Sequence, residues 1–350
     1  MTLSAVIQVK RGIGDVIWHL PFIRAIAAAA PGGQVTFLAP PTSGARELLA
    51  AEPCIAETLY FEHSGSELRR GLNLIRLVAL LRQRRFRTLW ILDRTTRPAF
   101  AAFLAGIPER IGVGLTRQRW LITNRGIPQS HWHDFPIDWL VTLLKQMNVP
   151  LPTLEPQLQL PRDALATIGA RYSNRPRPWI VVGLGASHAD KDWPQAYWAE
   201  FVGGLRRRTN GTVFLLGGDD SIARADELIA SAAGADAANA CGLKLIEAAA
   251  LLQLADLFVG TDSGPIHLAA AFARPTFAWF GPTDPDTWAP RGDAHDAWRT
   301  TLPCRGCDRT RCPHWNCMPE LTAEAAAARV LAHLERHGRA AADLRPAAGA

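Results

Sequence analysis

The sequence predicts an α/β protein with two domains, each built around a parallel sheet, and three observations lead to this prediction. Apolar runs typical of strands alternate with helical segments along most of the chain, as in parallel sheets covered by helices. A length of 350 residues exceeds what a single hydrophobic core usually organises. A proline-rich, helix-poor stretch at 149–156 has the composition of a domain linker.

We therefore predict an N-terminal domain over residues 1–150, a linker over 151–160 and a C-terminal domain over 161–337. Residues 338–350 are rich in alanine, glycine and proline, and we expect them to form a disordered tail. The two Rossmann-like halves are expected to face each other across a cleft. Ligands of such sheets bind beyond the carboxyl ends of the strands, so the loops at those ends are the candidate sites.

The individual elements are predicted from the period of their apolar residues and from their start and stop signals. Predicted strands cover 3–9, 34–39, 88–92, 111–114, 179–183, 212–216, 256–259 and 275–280. Predicted helices cover 16–30, 43–51, 68–84, 138–147, 197–208, 221–233, 245–254 and a segment that begins at Pro265.

The charge and hydropathy of the chain limit its partners and its location. A net charge of +6 and a pI near 9.3 favour an anionic partner, such as a nucleotide, a nucleic acid or an acidic membrane surface. No apolar run is long enough to span a membrane. Lys10 and Arg11 interrupt the first apolar run where a signal peptide would continue, so we expect a cytoplasmic protein.

The first candidate loop, Gly12-Ile13-Gly14-Asp15, follows the first predicted strand. Its two glycines let the backbone approach a ligand closely, and Asp15 is placed at the edge of the expected cleft. The third glycine of a dinucleotide-binding fingerprint is absent. An ordinary helix cap remains an equal alternative for Asp15.

Two further loops follow strands of the second half. In the segment 183–194, Ser187 offers a hydroxyl donor and Lys191 a point charge, and both groups suit a phosphate. The spacing differs from that of a P-loop. In the loop Gly217-Gly218-Asp219-Asp220, an aspartate is placed either to bind a ribose or to cap the next helix.

The most informative stretch runs from Thr261 through Asp262-Ser263-Gly264 to His267 and reads as strand, tight turn and helix. Free N–H groups and the positive end of the helix dipole then point at whatever lies above the turn, and an anion is the natural occupant. His267 lies within reach of the same anion. A capped helix with a surface histidine is the alternative.

Together these segments resemble family 9 glycosyltransferases, the bacterial ADP-heptose:lipopolysaccharide heptosyltransferases. The matching pieces are Gly14-Asp15, Lys191-x-Trp193-Pro194, Gly217-Gly218 and, most specifically, Thr261-Asp262-Ser263-Gly264-Pro265-x-His267. The resemblance extends from residue 7 to about residue 335 and implies the GT-B fold of two Rossmann-like domains.

The resemblance implies an inverting transfer of heptose from ADP-heptose to a hydroxyl of the lipopolysaccharide inner core, with no cofactor needed for catalysis. Asp15 matches the base that takes the acceptor proton. Lys191 and Asp15 are the two expected catalytic residues. The residues that match the family's donor-diphosphate site are Lys191, Gly14, Ser187, Gly217, Gly218, Asp262, Ser263, Gly264 and His267. Relatives often carry paired hydroxyl residues where this chain has Ala186-Ser187-His188, so we expect either that His188 substitutes for a phosphate donor or that the pocket suits a different sugar.

Four cysteines are crowded into the segment 304–317. Cys304, Cys307, Cys312 and Cys317 have a spacing that suits a structural zinc or iron site, in which four thiolates leave no open position. Similar inserts occur in some relatives of the family. The alternative is a set of reduced thiols in a loop held by other contacts.

The expected acceptor contacts lie in the N-terminal half. We predict that Arg117, Arg119 and His133 contact the acceptor. The arginine-rich stretch 69–87 is expected to be a solvated helix face or a peripheral contact with anionic lipid at the inner membrane.

Three other functions fit parts of the sequence. The same fold would serve a different nucleotide sugar or a protein acceptor, as in heptosylation of autotransporters, and it would also serve a nucleotide-sugar 2-epimerase. A zinc-containing nucleic-acid-binding protein would use the cysteines and the arginine helix, but it leaves Asp15, Lys191 and the Asp262 turn unexplained. We therefore expect no nucleic-acid partner.

Overall fold

The computed structural model describes residues 3–186 and 188–343. The chain divides into two compact units, Met1–Gln159 and Leu160–Ala350, and the division falls at the end of the segment 151–160 predicted to be a linker. Each unit has its own parallel sheet and its own hydrophobic core.

The N-terminal unit contains a five-stranded sheet whose strands are all parallel, in the order β3-β2-β1-β4-β5. Its strands are β1 Ser4–Ile7, β2 Val35–Ala39, β3 Ile55–Tyr60, β4 Thr88–Ile91 and β5 Glu109–Gly112. Its helices are α1 Ile13–Ala29, α2 Ala45–Leu48, α3 Glu67–Arg84, α4 Thr96–Ala105 and α5 Pro136–Gln146.

The C-terminal unit contains a six-stranded parallel sheet in the order β11-β10-β9-β6-β7-β8. Its strands are β6 Trp179–Gly183, β7 Thr212–Leu216, β8 Ala237–Asn239, β9 Leu257–Thr261, β10 Thr276–Phe280 and β11 His295–Arg299. Its helices are α6 Arg162–Arg171, α7 Gln195–Arg208, α8 Ile222–Ala230, α9 Leu245–Leu254, α10 Gly264–Ala271, α11 Pro285–Trp288, α12 Cys317–Glu320 and α13 Ala323–Asp343.

The central strands are buried on both faces because helices cover both sides of each sheet. Every residue of β1, β2, β6, β7, β9 and β10 is buried, and this burial explains why these strands read as continuous apolar runs. In each sheet the strand order reverses beside the first strand of the unit, between β1 and β4 and between β6 and β9. Such switch points open a crevice at the carboxyl ends of the strands, where ligands bind.

Aromatic side chains dominate the core of the C-terminal unit. The rings of Trp193 and Trp279 are stacked with their centroids 4.3 Å apart, and Trp198 and Phe201 pack edge-on against Trp193. The indole N–H of Trp193 donates to the carbonyl oxygens of Met318 and Leu321. The loop after β6 is therefore fixed at Trp193, two residues beyond Lys191.

The last helix was not among the predicted elements, and it covers the start of the predicted tail. Helix α13 continues past Gly338, where we predicted the start of a disordered tail, and ends at Asp343. Residues 344–350 lie outside the described residues. Within the described part of the chain, none of the helices combines the length and the apolar character needed to cross a bilayer.

Three histidines of the C-terminal unit, His295, His333 and His337, lie together, and we predict that they make the protein less stable in acid. Burial and the neighbouring His333 and His337 lower the pKa of His295 to about 4, whereas an unfolded histidine titrates near 6.5. Below about pH 6.5, His295 is protonated in the unfolded chain but stays neutral in the folded protein. The free energy of unfolding therefore falls with pH until folded His295 also binds a proton, near pH 4. We expect a loss of about 1–2 kcal/mol from this group between neutral pH and pH 5.

Urea unfolding at several pH values measures this effect. His295→Gln is expected to flatten the pH dependence, whereas the same change at the exposed His314 of the same unit leaves it as in the wild type. Equal pH dependence in wild type and His295→Gln would contradict the assignment.

Candidate functional site

In the N-terminal unit, the candidate base lies at the carboxyl end of β1. Asp15 occupies the third position of α1, and its Oδ2 accepts a hydrogen bond of 3.1 Å from the backbone N–H of Gly12. A Cβ atom at position 12 would lie 2.9 Å from the same oxygen, so only glycine lets the backbone approach the carboxylate in this way. Asp15 is thus a helix cap and a candidate base at the same time.

The surroundings of Asp15 make its carboxylate a stronger proton acceptor than an exposed aspartate. Burial raises its pKa, the charge of Lys10 and the Gly12 N–H lower it, and the charge of Asp93 raises it further. Burial is the largest of these effects. The pKa of Asp15 lies above its ordinary value as a result, which suits a group that must take up a proton near neutral pH.

Asp93 is a buried carboxylate that the sequence reasoning missed. It follows β4, the neighbour of β1, and it accepts hydrogen bonds from the backbone N–H of Val9 at 3.1 Å and of Thr95 at 2.8 Å, as well as from the Thr95 hydroxyl. An acidic residue directly after a buried parallel strand was the available signal. Burial raises the pKa of Asp93, and its three donors and Lys10 lower it.

A cavity of about 410 Å³ opens in the same unit, beside the ends of β1, β3 and β4. Its walls are mostly apolar, and Nδ1 of His63 and Nε of Arg70 are buried along it without a hydrogen-bond partner. Arg94 and Arg97 also line it. Two unpaired polar atoms and several guanidinium groups suit an anionic or hydroxyl-rich ligand.

The predicted acceptor residues lie elsewhere on the unit. Arg117, Arg119 and His133 are exposed, and none of the three lines the cavity beside β1, although Thr116 does. Arg119 lines a second cavity of about 280 Å³ and lies 5.7 Å from the ring of Trp120. Asp15 does not line that cavity either, so the cavity brings none of these three side chains together with the candidate base.

In the C-terminal unit, Lys191 and Asp262 form a buried ion pair. Lys191 Nζ lies 2.7 Å from Asp262 Oδ2, and the two side chains are only 13 % and 9 % exposed. Strands β6 and β9 are neighbours, so the loops that follow them meet at one edge of the sheet. The hydroxyl of Thr261 joins the same loops by donating to the carbonyl oxygen of Gly185 at 3.2 Å.

His267 is buried next to this ion pair and is neutral at physiological pH. Burial lowers its pKa to about 4, with Asp262 raising it and Lys191 lowering it. A neutral imidazole has one donor and one acceptor nitrogen, so His267 adds a hydrogen-bonding group to the cluster without adding charge.

Helix α10 directs its N-terminus at the same cluster. Ser263 is the N-cap, its side chain makes no capping hydrogen bond, and Pro265 takes a first-turn position where no N–H is needed. The first N–H groups of α10 and the helix dipole are therefore directed, with Lys191, at one end of the sheet. This arrangement is able to bind an anion, with the Asp262 carboxylate offsetting part of the Lys191 charge.

The glycine pair at the end of β7 fits into a close turn beside β6. A Cβ atom on Gly217 would lie 2.7 Å from Cβ of Ser221, and one on Gly218 would lie 2.9 Å from an oxygen of Asp220. The exposed carboxylates of Asp219 and Asp220 follow directly. Gly217 and Gly218 thus shape a third loop at the edge formed by β9, β6 and β7.

Of the predicted phosphate ligands Ser187 and His188, the structure describes only His188. Ser187 lies outside the described residues. The His188 side chain is exposed, and its backbone carbonyl accepts a hydrogen bond of 3.0 Å from the N–H of Lys191.

The described residues give no support to the metal site predicted on the cysteine segment. Within residues 3–186 and 188–343, no group of three or more His, Cys, Asp or Glu side chains is placed to hold a metal ion. Cys304 and Cys307 are exposed and Cys312 is half-buried, whereas Cys317 is buried at the start of α12, where a Cβ atom on Gly281 would lie 3.0 Å from its sulfur. The four thiols therefore differ in exposure, but they are not far apart, since burial and the neighbouring Cys304 and Cys307 raise the pKa of the Cys317 thiol.

Hydrogen bonds tie this segment to the turn that carries Lys191. The backbone N–H of Cys312 donates to the Asp190 carboxylate, and the indole N–H of Trp315 donates to the Asp190 carbonyl at 2.9 Å. The alternative reading of the cysteines, reduced thiols in a loop held by other contacts, agrees with this packing. The segment therefore holds Asp190, the residue that precedes Lys191.

Comparison with known proteins identifies a family that matches most of this chain. The family model for glycosyltransferase family 9 (heptosyltransferase) matches residues 74–317. Lipopolysaccharide heptosyltransferase 2 of Salmonella typhimurium is 28% identical over 292 residues, which cover 79% of this chain and 82% of that protein.

Solved structures show the same fold. The E. coli ADP-heptose lipopolysaccharide heptosyltransferase II matches with a TM-score of 0.75 at 23% identity, over 96% of this chain and 99% of that one. E. coli heptosyltransferase WaaC with ADP-2-deoxy-2-fluoro heptose matches with a TM-score of 0.71 at 18% identity, over 94% and 99%. The predicted fold class, a GT-B protein with two parallel α/β domains, is confirmed.

Two substitutions are expected to move the pKa of Asp15 in opposite directions. Lys10→Met removes a positive charge that favours the carboxylate, so the pKa rises. Asp93→Asn removes a like charge that disfavours it, so the pKa falls. Both pKa values are measured by following the carboxyl ¹³C chemical shift of Asp15 against pH, with Asp15→Asn used to assign the signal. A change of the Asp15 pKa in the same direction in both variants would contradict this account of the site.

Proposed function

This chain belongs to glycosyltransferase family 9, the heptosyltransferases, and we propose that it transfers a heptose from ADP-heptose to a hydroxyl of the lipopolysaccharide inner core. It is a glycosyltransferase. The proposed donor has support from the two solved structures of the same fold whose names include ADP-heptose or an analogue of it. The proposed acceptor has support from the lipopolysaccharide heptosyltransferase of Salmonella typhimurium.

The observation that carries the proposal is the cluster of Lys191, Asp262 and His267 at the N-terminus of α10. When the bond between the sugar and the diphosphate breaks, negative charge grows on the departing ADP. The Lys191 ammonium and the N–H groups of the helix start stabilise that charge where it develops. A metal ion is then not needed to stabilise the leaving group.

Asp15 supplies the complementary function, removal of the acceptor proton. As the acceptor oxygen attacks the anomeric carbon from the face opposite the diphosphate, the hydroxyl proton passes to the Asp15 carboxylate. A single displacement of this kind inverts the anomeric configuration. The raised pKa of Asp15 supports this role because a more basic carboxylate takes the proton more readily.

For the acceptor, two groups of side chains are candidates. Arg117, Arg119 and His133 are exposed on the N-terminal unit and remain proposed contacts for anionic groups of the inner core. Arg94 and Arg97, which line the 410 Å³ cavity, are additional candidates because that cavity also contains the unpaired polar atoms of His63 and Arg70.

The test is transfer from ADP-heptose to a set of truncated lipopolysaccharide acceptors, with a chelator of divalent ions present. Wild type is expected to turn over with one of these acceptors and to produce the inverted anomer. Asp15→Asn is expected to reduce kcat about a hundredfold or more, because the base is lost, while its affinity for ADP stays within about twofold of wild type.

Asp138→Asn is the matched control, since Asp138 also lies in the first turn of a helix of the same unit. Its kcat is expected to equal that of wild type. Loss of all turnover on chelation, or full activity of Asp15→Asn, would contradict the mechanism. Turnover only with another nucleotide sugar or with a protein acceptor would replace the proposed substrates.

A further inference from the structure

The loop between β1 and α1 carries Lys10, the basic residue whose charge acts on Asp15. Lys10 is exposed and belongs to neither element, since β1 ends at Ile7 and α1 begins at Ile13. An exposed lysine on an irregular segment ordinarily samples many conformations of its backbone and side chain. A lysine that shifts the pKa of a particular carboxyl group therefore needs a backbone that is held in place.

The side chain of Gln8 holds this loop. Gln8 follows the last residue of β1 and is completely buried, and a buried polar side chain costs free energy unless it is hydrogen-bonded. Its Nε2 donates to the backbone carbonyl of Lys10 at 3.2 Å, and its backbone N–H donates to the carbonyl of Leu38 in β2 at 3.0 Å. Gln8 thus joins the end of the sheet to the first exposed residue of the loop.

His19 holds the other end of the Gln8 amide. Its Nδ1 lies 2.6 Å from Oε1 of Gln8, and because this oxygen only accepts, Nδ1 carries the proton. Burial and the charge of Lys10 lower the pKa of His19 to about 3, so the imidazole is neutral at physiological pH. Reversing the amide would place its oxygen against the Lys10 carbonyl and its NH₂ group against the Nδ1–H of His19. The pair therefore admits one orientation, in which Nε2 faces Lys10.

The ammonium group of Lys10 acts on the same face of α1 that carries His19. His19 follows Asp15 by four positions in α1, and residues at this interval share one face of a helix. The charge of Lys10 lowers the pKa of both residues, which means that the ammonium lies near both. The loop has a further anchor in the N–H of Val9, which donates to the Asp93 carboxylate at 3.1 Å.

We propose that Gln8 and His19 are positioning residues for the base, because they hold the loop so that the Lys10 ammonium stays beside the Asp15 carboxylate. The inference rests on the proposed function of Asp15 in heptose transfer. The charged groups that act on Asp15 are Lys10, which favours the carboxylate, and Asp93, which disfavours it. The balance of the two sets the pH at which the base is available, and the hydrogen bonds of Gln8 and His19 maintain the contribution of Lys10.

The pKa of Asp15, followed through its carboxyl ¹³C chemical shift, tests the inference without a measurement of activity. His19→Leu removes the donor to Gln8 and is expected to raise the Asp15 pKa, in the same direction as Lys10→Met, because the Lys10 ammonium is no longer held near the carboxylate. His19→Asn is expected to restore the wild-type pKa, since the asparagine amide offers an N–H donor in place of Nδ1.

Two further variants separate this effect from a loss of folding. Gln8→Leu combined with His19→Leu removes both polar partners, so neither is left buried and unpaired, and the Asp15 pKa is expected to rise as in His19→Leu alone. Gln34→Leu is the control, since Gln34 also donates to a backbone carbonyl, that of Pro53 at 2.8 Å, but precedes the first residue of β2 at the other end of the sheet. It is expected to leave the Asp15 pKa unchanged.

A double-mutant cycle determines whether His19 acts through Lys10. When His19→Leu is added to Lys10→Met, the Asp15 pKa is expected to stay at the value of Lys10→Met alone. A further rise as large as that caused by His19→Leu in the wild-type background would overturn the proposal. An unchanged Asp15 pKa in both His19→Leu and the Gln8→Leu, His19→Leu variant would overturn it as well.

The pH profile of kcat connects the positioning to the reaction. In His19→Leu the acid limb of the profile is expected to move to higher pH by the same shift as the Asp15 pKa, with KM for the acceptor within about twofold of wild type. A shifted Asp15 pKa with an unmoved profile would contradict the role of Asp15 as the base and leave the positioning of Lys10 established. An unmoved pKa would contradict the positioning and leave the proposed reaction in place.

Discussion

The ion pair of Lys191 and Asp262 is the interaction on which the candidate donor site depends. Both groups are largely removed from water, so each charge needs the other, and loss of one partner would leave a buried charge uncompensated. The pair holds the loop after β6 against the loop after β9, at the N-terminus of α10. The charges that would bind a diphosphate therefore also keep the two loops together.

The packing around this pair explains features that look unrelated in the sequence. Trp193 is locked between aromatic rings and the carbonyls of Met318 and Leu321, and Asp190 is held by Cys312 and Trp315. Lys191 lies between these two anchored residues. The cysteine-rich segment thus contributes to the position of Lys191 through backbone and indole donors. In the N-terminal unit, the neighbours of the candidate base act through their charges: Lys10 lowers and Asp93 raises the pKa of Asp15.

The sequence was sufficient for the central parts of the fold and insufficient for its edges. Buried strands and the loops after them were predictable because burial on both faces produces continuous apolar runs. The strands β3, β8 and β11 were missed because they are edge strands with half-exposed or polar sequences, and α4 was missed because its outer face is apolar too. Asp93 and the contacts of the cysteine segment depend on residues distant in sequence, which periodicity does not reveal.

Calorimetric titration of ADP and of adenosine tests most directly whether Lys191 forms the phosphate site. With Lys191→Met and Asp262→Asn combined, so that no unpaired charge remains, the affinity for ADP is expected to fall at least about tenfold, or about 1.4 kcal/mol, and the affinity for adenosine to stay within about twofold. Lys244→Met, at an exposed lysine of the same unit, is expected to change neither. Unchanged ADP affinity in the double variant, or equal losses for ADP and adenosine, would contradict the account.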